Sequence, residues 1–191
     1  MSHDPYRFGR SETVSCDFIL GEFVGSQIVY PLSNGAFPMD EVLARLEACE
    51  WTYGDRDPVA LAELSRRIAA IGRTSQDFLK YSELVDGVTF RLSNVANGAP
   101  FEIREWNSLD RAIIGSFLGR IVLDSYRRGR FFASALVIGV ESNSPGEGFW
   151  TLASQVGLLN SNNTDARDRL WFRQVDLARA WHRANPHLEY A

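Results

Sequence analysis

The chain has 191 residues, 45% of them hydrophobic and 23% charged, with a net charge of −4. That length builds one domain with a real core and no metal or disulfide staple, and the composition excludes a chain disordered throughout. The polar start and the lack of any run of eighteen apolar residues lead to the expectation of a cytoplasmic protein with no membrane partner.

The charge is uneven. Residues 1–60 hold ten acidic and four basic side chains, residues 61–140 eight and eleven, and the remainder six and five. A mildly basic middle falls short of the footprint of a strong duplex binder. Lys80 is the only lysine; arginine forks suit carboxylate and phosphate contacts.

In chain order, residues 1–13 read as a flexible N-terminus and 14–191 as a single compact domain. Val14 to Tyr30 is apolar and β-branched and predicts one or two short strands. Pro31 to Pro38 reads as loop. A helix is expected from Pro38 to near Trp51, with Asp40 and Glu41 at its positive end. Asp57 predicts an N-cap and Pro58 the first position of a second helix, which Gly72 ends. A short helix or turn follows at Ser75–Leu79. Ser82 and Glu83 open another short helix that Gly87 stops, and Val88–Leu92 and Phe101–Trp106 read as strands.

Ser108 is expected to cap the longest apolar helix, with Leu109, Ile113, Phe117 and Ile121 along its core stripe. Gly115 and Gly119 on one side predict close approach by another backbone. The Arg127-Arg128-Gly129-Arg130 turn ends that helix. Phe131–Val140 is continuously apolar and predicts a central strand. Phe149–Val156 reads as a helix closed by Gly157, and Thr164 as the cap of a last helix ending before Pro186.

No residue pattern carries a strong catalytic or metal signature. Cys16 and Cys49 lack a neighbouring histidine, and His3, His182 and His187 do not make a zinc spacing. No cofactor is expected. Asp55 and Asp57 form an acidic pair beside Trp51 and Tyr53. Such a pair suits Mg²⁺ or acid–base work in a small metal-dependent hydrolase or nuclease. It suits a turn and a helix cap as well. Gly146 and Gly148, just before a helix, could present free N–H groups to an anion. Arg120 and the Arg127-Arg128-Gly129-Arg130 turn are candidates for phosphate contact.

A pattern joins several of these segments. Tyr81-Ser82-Glu83-Leu84 reads as Y-[GS]-x-L. Arg111-Ala112-Ile113-Ile114-Gly115 reads as R-A-[VI]-G, followed by Phe117-Leu118, an apolar strand, a Gly-containing turn and Gly148-Phe149. This order resembles the winged-helix DNA-binding domain of alkylguanine-DNA alkyltransferases and alkyltransferase-like proteins. The resemblance spans residues 81–158, with an unusual insertion around 90–107. It implies a winged-helix-like centre and places Arg111 near nucleic acid. The family's Pro-Cys-His-Arg motif has no counterpart; Leu136-Val137-Ile138 stands nearest, so alkyl transfer is not implied. The run from Ala135 to Trp150 also resembles a segment of uncharacterised bacterial and phage-associated proteins, of the form L-x-x-V-V-x-x-x-x-G-x-P-G-x-G-F.

The expected fold class is α+β, a mostly helical single domain with a small sheet and that winged-helix-like centre. The expected function is a non-enzymatic binding module with a nucleic-acid or protein partner, in a mobile-element or phage-defence setting. Its nucleic-acid contacts would be Arg111, Arg120, Arg127, Arg128 and Arg130. The alternatives are the hydrolase built on Asp55 and Asp57 and a homo-oligomeric assembly protein, since five tryptophans and twelve phenylalanines could include an interface.

Overall fold

The computed structural model describes residues 39–75 and 77–188. The expected flexible start at 1–13, the strands within 14–30 and Cys16 lie outside the described residues.

Among the described residues six α-helices are arranged around one core: α1 (Met39–Glu47), α2 (Pro58–Gly72), α3 (Tyr81–Val85), α4 (Ser108–Gly129), α5 (Glu147–Gln155) and α6 (Thr164–Ala184). Two short strands, β1 (Leu79–Lys80) and β2 (Val137–Ile138), pair in parallel, Leu79 opposite Val137 and Lys80 opposite Ile138. The described residues are thus mostly helical with a small sheet. No described helix is long and apolar enough to cross a membrane.

α2 follows the sequence closely. Asp57 caps it by accepting the N–H of Ala60 at 3.0 Å, and Pro58 takes the first position, where a missing N–H costs nothing. Asp57 has a second task. Its other oxygen accepts the Arg91 N–H at 2.6 Å, tying the start of α2 to the segment after α3. The far end of that segment is closed by Arg67, whose Nη1 donates to the carbonyls of Glu83, Leu84 and Asp86. Those carbonyls at the end of α3 have few helical partners.

α4 is the central helix. Asn107, not Ser108, caps it, exchanging hydrogen bonds with Asp110 in a capping box. Likewise Asn163, not Thr164, caps α6. Ile113, Phe117 and Ile121 are fully buried as expected, but Leu109, in the first turn, is 43% exposed. The close approach expected at the glycines of α4 has a different form. Gly119 faces the Trp51 ring, so near that an added Cβ would lie 2.0 Å from Cζ3. The neighbouring backbone is met elsewhere, at Gly54, where an added Cβ would come 2.8 Å from the Ser116 carbonyl oxygen. Ser116 Oγ accepts the N–H groups of Tyr53 and Gly54, so α4 clamps the 51–57 loop directly.

The expected strand Phe131–Val140 is mostly not a strand. Ala133–Leu136 is a 3-10 turn and only Val137 and Ile138 pair in the sheet. The segment is apolar because it is buried from Phe131 to Ile138. Side chains supply the hydrogen bonds that a sheet would have given. Ser125 Oγ donates to the Phe131 carbonyl and accepts the Ala133 N–H, Gln174 accepts the Phe132 N–H, and the Trp171 indole donates to the Ala135 carbonyl.

Two other expected strands shrink for a similar reason. Between Val88–Leu92 and Phe101–Trp106 there is one antiparallel bridge, Phe90 with Phe101, their rings 5.7 Å apart. Ala96, Asn97 and Trp106 take left-handed backbone angles, which break an extended ladder on either side. Of the short helix or turn expected at Ser75–Leu79, no helix is present among the described residues; Leu79 begins β1.

Candidate functional site

The arginines on α4 do not form one surface. At about 100° per residue, Arg120 and Arg127 lie on nearly the same side of the helix, and Arg111 lies about 160–180° away from both. Arg111 is exposed. Arg120 and Arg127 are engaged in an alternating chain of charges. Asp55 Oδ1 pairs with Arg120 Nε at 2.8 Å, and Arg120 Nη1 with Asp124 Oδ1 at 2.5 Å. Asp124 then meets Arg127 at 3.9 Å, and Arg127 Nη2 meets Glu47 at 3.0 Å. Three acids thus hold two arginines and join the 51–57 loop, α4 and α1.

The expected turn at Arg127-Arg128-Gly129-Arg130 is helical through Gly129. Arg130 forms the C-cap with φ +59° and stacks its guanidinium 5.6 Å over the Tyr126 ring. Arg128 is exposed. Gly129 is needed there by packing: an added Cβ would sit 2.5 Å from Trp181 Cδ1 and from Phe131 Cε1.

That contact brings three helix ends together. Gly72, at the end of α2, lies against the ring of His182, an added Cβ falling 2.2 Å from Cδ2. The Phe131 ring is 5.6 Å from Trp181 and 6.2 Å from His182. The C-termini of α2, α4 and α6 therefore meet at Trp181 and His182. Each end exposes an arginine: Arg73, Arg128 and Arg183. None of the three forms an ion pair among the described residues. The buried His182 registers the Arg73 charge. Burial first, then repulsion from Arg73, pulls its pKa from 6.5 to about 4.

Asp55 and Asp57 have separate structural partners. Both carboxylate oxygens of Asp57 accept backbone N–H groups, and Asp55 pairs with Arg120. Among the described residues no group of three histidine, cysteine or acidic side chains is placed to hold a metal.

A cleft of about 400 Å³ lies where α5 and α6 begin; Ser144, Gly146, Glu147, Trp150, Thr164 and Arg167 are among its lining residues. The Gly146 N–H donates to the Tyr81 hydroxyl at 3.2 Å. Burial pushes the Tyr81 pKa up, and that hydrogen bond offsets part of the rise. Gly148 sits in the first turn of α5. Arg167 reaches across from α6 to Glu147 at 2.9 and 3.3 Å and lies 5.2 Å over the Trp150 ring.

No local sequence motif marks Arg73, Arg183 or Arg167 for a role. Arg73 and Arg183 carried one signal, a basic residue in or just past the last turn of a helix. Arg167 carried none, because its carboxylate partner Glu147 is twenty residues away on another helix. Comparison with protein-family models, curated proteins and solved structures gives no match.

Proposed function

We propose that this chain is a non-enzymatic binding module that takes the phosphate backbone of nucleic acid on the pole where α2, α4 and α6 end. The observation that carries the reading is the meeting of three helix C-termini, each with an exposed arginine, Arg73, Arg128 or Arg183, that has no ion pair among the described residues. Three helix C-termini bring roughly −0.5 charge each. The arginines exceed that sum, so the pole keeps a positive excess on a chain whose net charge is −4.

Of the five arginines expected to contact nucleic acid, Arg128 belongs to this pole and Arg130 stacks beside it. Arg120 and Arg127 serve the charge chain, and Arg111 would act from a separate place. The winged-helix-like centre over 81–158 is a finer part of the same reading, supported by the order of motifs. It does not itself supply the contact face, since α4 is packed on most sides.

The partner is bound weakly and without sequence preference, because backbone contact carries no base information. A mobility-shift titration on duplex and single-stranded DNA at several salt concentrations tests this. Each phosphate neutralised contributes a slope of about −0.9 on duplex or about −0.7 on single strands in log affinity against log salt. Arg128→Ala and Arg183→Ala each reduce the slope by about one contact, whereas Arg111→Ala leaves it unchanged. No binding at low salt sinks the reading.

A further inference from the structure

We propose that the cleft between the starts of α5 and α6 is a site for a small aromatic carboxylate, which enters by replacing Glu147 on Arg167. The Arg167 guanidinium is already set in place. It lies 5.2 Å over the Trp150 ring, and its Nε donates to Asn162 Oδ1 at 2.7 Å. Its two terminal nitrogens face the two oxygens of Glu147, at 2.9 and 3.3 Å. Glu147 thus demonstrates that this edge of Arg167 fits a planar carboxylate in a two-pronged pair.

Glu147 is an easily displaced occupant. Its side chain is 59% exposed, and exposed ion pairs hold their partners weakly. Arg167 loses little by exchanging one carboxylate for another, while its orientation is kept by Trp150 and Asn162.

Charge selects the ligand. Among the described residues Arg167 is the one basic residue lining the cleft, and Glu147 and Asp168 line it as well. With Glu147 turned out to solvent, a single negative charge balances Arg167; a phosphate dianion would leave an excess beside two carboxylates. In the first turn of α5 the Phe149 N–H goes to the Gly146 carbonyl at 3.0 Å, which leaves the N–H groups of Glu147 and Gly148 at a helix start that favours a single negative group. Pro145 and Trp150 give the cleft apolar walls, and about 400 Å³ suits a small molecule. This site shares no residue with the arginine pole.

The test is a titration of the full ¹⁵N-labelled chain with benzoate, followed by amide chemical shifts. Saturable shifts are expected in Gly146–Trp150 and Thr164–Asp168, and none with benzamide, which has the shape without the charge. Glu147→Gln tightens benzoate binding about fivefold, since it removes the competing carboxylate. Arg167→Lys keeps the charge, loses the two-pronged edge and weakens binding about tenfold. Arg128→Ala changes nothing here, which separates this site from the pole. The proposal is overturned if Glu147→Gln shows no saturable shifts with benzoate, if benzamide matches benzoate, or if phenyl phosphate binds more tightly than benzoate.

Discussion

The side-chain oxygen of Gln174 accepts the backbone N–H of Phe132 in the interior, at 2.8 Å. A polar side chain of α6 thereby replaces a strand that the 131–136 segment does not have. Buried N–H groups without acceptors cost about 1–3 kcal/mol. Gln174→Leu therefore destabilises the fold by about that amount, although it adds apolar surface to the core. Urea unfolding of the two proteins measures it, and an equal or higher midpoint for the variant contradicts the argument.

Gly119 separates local from tertiary preference. In an exposed helix, glycine to alanine gains about 1 kcal/mol. Here the added methyl meets the Trp51 ring, and overpacking of that kind costs about 1–3 kcal/mol. Gly119→Ala is expected to be net destabilising, and pairing it with Trp51→Leu recovers part of the loss. A double-mutant cycle reads this coupling, which for touching residues reaches about 0.5–3 kcal/mol. Additive effects would mean the ring does not press on Gly119.

His182 makes stability depend on pH. Its folded pKa of about 4 lies below the ordinary 6.5, first because the ring is buried and second because of Arg73. Above 6.5 neither state holds the proton. As pH falls from about 6.5 to about 4, the unfolded chain binds the proton first, so stability is lost across that window. The loss is at most about 3.5 kcal/mol, from roughly 1.4 kcal/mol per unit. Unfolding midpoints at about pH 7 and about pH 5 should differ in the wild type and differ less in His182→Leu. An unchanged slope in the variant would remove His182 as the cause.

Arg67 joins two helices through one guanidinium. It donates to three carbonyls around the end of α3 and to Glu63 on α2. Arg66 and Arg67 together hold the Glu63 carboxyl down at about 2. Arg67→Ala uncaps α3 and should cost about 1.5–3 kcal/mol, the range for hydrogen bonds to a charged group. Arg66→Ala removes an exposed pair with Glu63 and costs under about 1 kcal/mol. Hydrogen exchange across residues 81–86 should rise in the first variant and not the second.

α2 was legible because its signals are local: Asp57 and Pro58 at one end, Gly72 at the other, and Leu64 and Ile68 one turn apart. Residues 131–140 misled because an unbroken apolar run reports burial, not hydrogen-bond pattern. The partners that decide the pattern, Ser125, Gln174 and Trp171, sit on two other helices. The candidate site divided the same way. Arg128 stood in a visible basic run, but nothing near it in sequence points to Arg73 or Arg183. Arg120 and Arg127 looked free only because Asp55, Asp124 and Glu47 come together in the fold.

By itself the sequence determined where most helices start and stop, since capping and the 3.6-residue repeat act within a few residues. The tertiary structure alone decided which glycines are clasped by rings, which arginines are spent on acids and which meet at one pole. Those outcomes depend on distances between segments far apart in the chain, and only packing sets them.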